Sequence, residues 1–336
     1  VPKGQELLKA RELLKAGVAY VQPNYLYQTL RIPDDPLYRQ NQRISLETLL
    51  GLEAAWSVYN GDPELIIAVT DTGYQAHEDM GRWYLPQGQM LDVSNNDTDP
   101  TDDLPAFSAK NHGLEVASVL GASTNNGQGM AAVAWAGKVL PLKVANSQSG
   151  EITTTSLAQA IGIATDLGAK VINISLGSEA SDKVLENAIL DARNRGVTVV
   201  AAAGNDGRDG ILYPARSSAV ISVGSVDNDR TKSSFSNCGP ELDLVAPGRG
   251  VVVVLPNDDY GQASGTSFAS PMVAGVAALY IGRYHALKGV WPSPDQVYAC
   301  LTGTAEDLGP VGKDDEYGFG LVRADRVMTD TTYCFP

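Results

Sequence analysis

Acyl transfer at neutral pH needs a nucleophile, a base with a pKa near 7, a group that orients the base, and donors for the developing oxyanion. The base is the scarcest of these, because the chain of 336 residues holds three histidines. His285 falls late in a helical run, in Gly282-Arg-Tyr-His285, and reads as a surface residue. His77 follows Asp71 by six residues in a loop and has no helix behind it. His112 is different. Asn111-His112-Gly113 opens a helical run from Leu114 to Leu120, so the ring projects from a strand-to-helix junction.

Ser267 sits in Gly265-Thr-Ser-Phe-Ala-Ser-Pro271, ahead of an Ala- and Gly-rich helix that reaches about Tyr284. Pro271 suits a first helical turn, where its missing N–H is not needed. A serine at such a helix start is either an N-cap or a nucleophile, since amide N–H groups and the positive dipole end favour an oxyanion there. Asp71 ends the apolar strand at Val69-Thr-Asp-Thr-Gly73, where an acid either caps a turn or holds an imidazole tautomer. Asn205 closes the apolar run Ala201-Ala-Ala-Gly-Asn205. Its amide is either an oxyanion donor or an ordinary turn residue.

Side chains so far apart in sequence need a scaffold that gathers them. From about Leu65 the pattern is strand, loop, helix, repeated. Apolar runs of strand length lie at Leu65 to Thr70, Val139 to Val144, Lys170 to Ile174, Val197 to Ala202 and Ala219 to Val223. Helical patterns fall between them at Ser156 to Leu167 and Asp182 to Arg195. This alternation predicts an α/β fold: a mostly parallel, doubly wound central sheet with helices on both faces, in three layers. Ligands of such sheets bind beyond the carboxyl ends of the strands, which is where Asp71 and Asn205 fall.

Composition narrows the function classes. Hydrophobic residues at 43% and charged residues at 19% suit a globular protein with a sizeable core and argue against disorder. A formal charge of −14 disfavours nucleic acid and anionic membrane surfaces as partners. No apolar run approaches the roughly 20 residues of a spanning helix. Cys238, Cys300 and Cys334 are too few and scattered for a zinc site. Either Cys300 and Cys334 pair and tie down the C-terminal tail, or all three stay reduced and partly buried. The chain opens at Val1-Pro2 without the basic, apolar and small-residue succession of a secretion signal, so a signal is expected to have been removed or left out.

Asp-Thr-Gly (71–73), His-Gly (112–113), Ala-Ala-Gly-Asn (202–205) and Gly-Thr-Ser-Phe-Ala-Ser-Pro (265–271) resemble the four signature segments of the subtilases, in that family's order of Asp, His, Ser. Asn173-Ile-Ser-Leu-Gly177 is similar to its substrate-wall segment. The resemblance spans roughly residues 31 to 328 and implies a serine endopeptidase acting on proteins or peptides, without an organic cofactor. On that match Ser267 attacks the scissile carbonyl, His112 moves its proton, Asp71 orients His112, and Asn205 holds the oxyanion with the Ser267 amide. Ser175, Leu176 and Gly177, with Ala202 and Gly204, would flank the residue before the cut bond. Gly150 would pair with extended substrate, and Ile152 would line a more distant pocket. Leu212 falls where many relatives carry a small residue, which implies a shortened main pocket. Leu114-Glu115 departs from the Thr-His usual after the catalytic His-Gly.

The same resemblance, in its thermitase-like branch, implies a calcium site built from Pro33-Asp-Asp-Pro-Leu37, His77-Glu-Asp79 and Thr124-Asn-Asn-Gly127. Asp35, Asp79 and Asn126 would supply side chains, and carbonyls near Ser123, Gln128 and Met130 would complete the six to eight oxygens calcium takes. The opposing expectation is a loop held by its own hydrogen bonds. Asp97 and Asp99, in the acidic loop 92–103, are candidates for a second calcium site. Residues 1–30 look like the C-terminal part of a propeptide, a helix (Glu6 to Ala16, stopped by Gly17) and a strand (Val18 to Asn24), ahead of a catalytic domain at 31–336. That match implies a secreted zymogen, self-cleavage near Leu30-Arg31, and a tail able to inhibit. A permanent extension, an inactive binding module, a limited-processing protease and a peptide ligase are the alternatives.

Overall fold

Six apolar runs, each buried on both faces, pair in parallel to make the centre of the fold. The computed structural model describes residues 6–21, 31–106 and 108–336. The chain divides into two units, Val1–Leu30 and Arg31–Pro336. In the first, α1 spans Glu6–Lys15 and ends at Gly17, whose φ of +90° suits glycine. Val18 to Val21 form no strand, and no described residue of this unit offers one to pair with. The expected strand continuation through Asn24, the break at Pro23-Asn24 and the junction residue Leu30 lie outside the described residues.

In the second unit two short π-helical segments, Tyr38–Gln42 and Ile44–Leu49, lead into α2 (Leu52–Val58). The chain then runs β1 (Ile66–Asp71), α3 (His112–Gly121), β2 (Lys138–Lys143), α4 (Thr154–Asp166), β3 (Val171–Ile174), α5 (Lys183–Asn194) and β4 (Thr198–Ala202). It continues through β5 (Ile221–Val226), β6 (Leu244–Pro247), β7 (Val251–Leu255), β8 (Asp259–Ala263), α6 (Thr266–Lys288), α7 (Pro294–Gly303) and α8 (Ala324–Thr329). The sheet order is β2-β1-β3-β4-β5-β6, and all five pairings are parallel. The five predicted runs are five of these strands. The sixth, β6, and the antiparallel hairpin β7–β8 were not expected from the pattern.

Local signals set the helix ends. Thr153 and Ser156 form a capping box that starts α4, and the Asp182 carboxylate accepts from the Val184 and Leu185 amides to start α5. Helices α3 and α6 pack together and against the sheet, as do α4 and α5, giving the predicted layered α/β architecture. The core between them is almost wholly aliphatic, for example Val69, Ile172, Val200 and Leu279. Cys300 and Cys334 are disulfide-bonded, and Cys238 is free and buried.

In the order 2-1-3 the chain leaves β1 toward β2 and later returns on its other side at β3. Connections diverge there, and a crevice opens beyond the carboxyl ends of β1 and β3. Asp71 is the last residue of β1, and Ser175 follows the last residue of β3.

Candidate active site

Asp71 and His112 meet at that crevice. Asp71 is buried, and its Oδ1 accepts from the Thr72 amide at 2.7 Å and pairs with His112 Nδ1 at 2.8 Å. Its Oδ2 is buried with no hydrogen-bond partner among the described residues. Two glycines permit the approach of these segments. A side chain on Gly113 would lie 2.5 Å from the Gly73 carbonyl oxygen, and one on Gly73 would lie 2.6 Å from the Pro100 carbonyl oxygen. The His112 ring tilts against Phe268 at 5.8 Å between centroids, which brings α3 beside the start of α6.

Burial works against a charge on His112. The Asp71 carboxylate, by its charge and its hydrogen bond, and then Glu115 and Asp102 outweigh that, so the His112 pKa is raised above its ordinary value. His112 therefore holds a proton more readily than a free imidazole. Glu115, three residues along α3, is itself pushed up by burial and by Asp71 and pulled down by His112.

Ser267 is the second residue of α6 and is buried. Its hydroxyl donates to the Ser175 carbonyl at 3.3 Å, and Ser175 Oγ donates back to the Ser267 carbonyl at 2.8 Å. Pro271 explains why that carbonyl needs an outside donor. The helix begins at Thr266, so Pro271 is its sixth residue and not in the first turn as expected. The ring nitrogen has no hydrogen for the carbonyl four residues back, which is that of Ser267. Asn173 supports the exchange from below, donating to Ser175 Oγ at 3.0 Å and accepting from Ser270 Oγ at 2.7 Å.

Asn205 follows β4. Its Oδ1 accepts from the Thr266 amide at 2.7 Å and from Thr266 Oγ1 at 2.9 Å, which leaves the Nδ2 end of the amide as a donor. The Ser267 amide belongs to the first turn of α6, whose N–H groups have no carbonyl behind them. One cleft is lined by His112, Asn205 and Ser267 together with Gly150, Ile152, Ser175, Leu176, Gly177, Ala202, Gly204 and Leu212. Leu212 stands between two of its walls. A methyl group on Gly177 would lie 2.9 Å from Leu212 Cβ, and one on Gly204 would lie 2.9 Å from Leu212 Cδ1. An adjoining apolar cavity shares Ile152 and Leu176 and adds Leu157, Leu185 and Tyr213.

The other two histidines do not line this cleft. His77 accepts from the Asp79 amide at 3.0 Å, contacts the Asp259 carbonyl at 3.1 Å, and lies edge-on to Tyr260. His285 stacks flat on Trp291 at 3.7 Å.

Among the described residues no group of three or more His, Cys, Asp or Glu side chains is placed to hold a metal. The expected calcium residues nonetheless converge as two carboxylates and an amide. Asp35 accepts from the Asn125 and Asn126 amides at 2.8 and 3.1 Å, and Asp79 accepts from Asn126 Nδ2 and the Met130 amide, both at 2.8 Å. Both aspartates are wholly buried, repel one another, and pair with no described lysine or arginine. Asp97 and Asp99, the candidates for a second site, lie apart from this cluster in the acidic loop. They are exposed, and each spends an oxygen on the amide two residues on. Lys143 is the cation of that loop, bound to Asp92 and Asp103 at 2.6 Å each.

Residues 62–320 match the subtilase family. A halolysin-like extracellular serine protease of Natrialba magadii is 35% identical over 329 residues, 97% of this chain and 58% of that protein. A thermophilic serine proteinase of a Bacillus species is 40% identical over 305 residues, 90% of this chain and 71% of the relative. The chain thus spans little more than half of the first of these. A solved protease from Pseudoalteromonas arctica superposes with a TM-score of 0.76 at 29% identity, covering 89% of this chain and 99% of that one. Among the described residues no helix is long and apolar enough to cross a membrane. The chain belongs to the subtilase family, a family of serine endopeptidases.

Proposed function

We propose that this chain hydrolyses peptide bonds through an acyl-enzyme on Ser267. The single observation that carries the reading is the His112–Asp71 pair in the cleft that Ser267 also lines. Asp71 fixes the tautomer in which Nδ1 carries the proton, so Nε2 is free to take the Ser267 proton as the hydroxyl attacks. Asp71 then stabilises the imidazolium, which gives its proton to the leaving amine. The tetrahedral oxyanion is held by Asn205 Nδ2 and the Ser267 amide. In the structure the Ser267 hydroxyl faces the Ser175 carbonyl, so a rotation of its side chain toward His112 precedes attack. Comparing the wild-type chain with Ser267→Ala on a denatured protein, with and without a serine-directed covalent inhibitor, tests this. Turnover that survives the substitution would overturn it.

Two further assignments belong to the same reading. Calcium binds at Asp35, Asp79 and Asn126, where two buried carboxylates repel one another and pair with no described lysine or arginine, and where carboxylate and amide oxygens are the hard donors the ion takes. The ion would supply positive charge and order to that loop, with no part in the chemistry. Residues 1–30 are the end of a propeptide removed by cleavage near Leu30-Arg31, in a secreted enzyme. The match to a relative named extracellular supports secretion, and that match runs into residues 1–30. N-terminal sequencing of active enzyme should begin near Arg31; Val1 retained at full activity would sink the propeptide assignment.

A further inference from the structure

A second buried carboxylate stands behind the candidate triad. Asp102 is 2% exposed and pairs with no described lysine or arginine; its neighbour Asp103 takes the Lys143 ammonium instead. Burying an unpaired carboxylate is costly, so its hydrogen bonds indicate what it is kept for. Its Oδ2 accepts from Thr72 Oγ1 at 2.7 Å and from the Asn111 amide at 2.6 Å, and its Oδ1 accepts from the Leu104 amide at 3.1 Å. Its own backbone is tied to the same turn, since its amide donates to the Tyr74 carbonyl at 2.9 Å and its carbonyl accepts from Gln75 Nε2 at 3.0 Å.

The two partners on Oδ2 adjoin the two halves of the triad pair. Thr72 follows Asp71, and Asn111 precedes His112. Thr72 Oγ1, having given its hydrogen to Asp102, accepts from the Gly113 amide at 2.9 Å, the amide just after His112. Asn111 adopts a left-handed conformation at φ +71° and begins α3 without a side-chain cap, so the bond to its amide holds the turn from which His112 departs. One oxygen atom therefore fixes both ends of the Asp71–His112 contact.

We propose that Asp102 is a positioning residue for proton transfer: its carboxylate locks the Thr72 and Asn111 segments together and so sets His112 against Asp71. The proposal rests on the reading of His112 as general base. Three carboxylates bear on the ring: Asp71 from the end of β1, Asp102 from the preceding loop, and Glu115 from its own helix. The α6 group against it is the uncharged Phe268. Removing Asp102 thus loosens the geometry and also takes away one of three negative charges.

The test uses the full chain carrying Asp102→Asn, which keeps the shape, and Asp102→Ala, with Asp103→Asn as the control on Lys143. Active sites are counted with a serine-directed covalent inhibitor, and kcat, KM and the pH profile of kcat/KM are measured for the titrated fraction. For Asp102→Asn the expected result is a kcat on the order of 10–100-fold lower, as for a small misplacement of a reacting group. KM should stay within about twofold, and the acid limb should move to lower pH while that of Asp103→Asn does not move. The lost charge alone can move the acid limb, so the deciding readout is kcat per titrated site: a merely structural Asp102 would lower the titratable fraction and leave that kcat within about twofold, and an unchanged kcat overturns the proposal. If wild type itself is not inactivated at Ser267, the triad reading fails, and that outcome is distinct from the failure of Asp102 alone.

Discussion

The hydroxyls of Ser175 and Ser267 each donate to the other's main-chain carbonyl. The exchange ties the end of β3 to the first turn of α6, at the helical carbonyl that Pro271 leaves without a partner. Ser175→Ala should leave that buried carbonyl unsatisfied and cost about 1–3 kcal/mol in denaturant unfolding. Measuring the loss in a Ser267→Ala background removes self-digestion. An unchanged midpoint there would show that the carbonyl finds another donor.

Much of this was legible in the sequence because burial leaves a period. The run at Leu65 to Thr70 reads as a strand without help from its neighbours, and β1 lies within one residue of it. The hairpin strand Asp-Tyr-Gly-Gln-Ala at 259–263 is polar and half exposed, so nothing apolar marks it. The same contrast divides the site. Ser267, His112, Asp71 and Asn205 sit in turn and helix-start motifs that signal themselves. Thr72, Asp102, Asn173, Ser270 and Thr266 act through partners 30 to 97 residues away. A single serine or threonine among so many carries no mark of such a partner.

Leu212 lies against both Gly177 and Gly204, and on the proposed reading it shortens the pocket for the residue before the cut bond. Small and medium aliphatic side chains should be cleaved after in preference to Phe or Tyr. Leu212→Ala removes three carbons from the floor, worth roughly 2 kcal/mol if a bound aromatic ring replaces them. The ratio of kcat/KM for Phe over Ala peptides should then rise about 30-fold. A peptide panel in which wild type already prefers Phe or Tyr would contradict this.

At the candidate calcium site the prediction concerns stability. Calcium at a hundredfold over its Kd should add about 2.7 kcal/mol if it binds only the folded state. The melting temperature should therefore rise with calcium, fall with chelator, and respond weakly to magnesium, which sheds its waters reluctantly. Asp79→Asn should abolish the calcium response. Asp97→Asn and Asp99→Asn should leave it intact, since those carboxylates are committed to their own turns. A response lost with Asp99→Asn would move the site to the acidic loop.

The charge set around His112 dictates the pH dependence. Its raised pKa means that folding shifts the ring toward the imidazolium, whereas the general base must be neutral. The acid limb of kcat/KM should accordingly lie above the ordinary histidine value of about 6.5. By linkage, the stabilisation from the charged pair is complete below the unfolded pKa and is lost as pH rises through the folded one. Activity therefore appears as that stabilisation fades. Glu115, where the usual motif carries histidine, adds to the bias from one helical turn away. Across ~6 Å at bulk-water permittivity its charge is worth about 0.7 kcal/mol. Glu115→Gln should therefore move the acid limb to lower pH and raise kcat/KM about threefold on that limb, leaving the plateau unchanged. Profiles that superimpose at low salt would mean that solvent screens Glu115 from the ring, and that Asp71 and Asp102 alone hold the proton on His112.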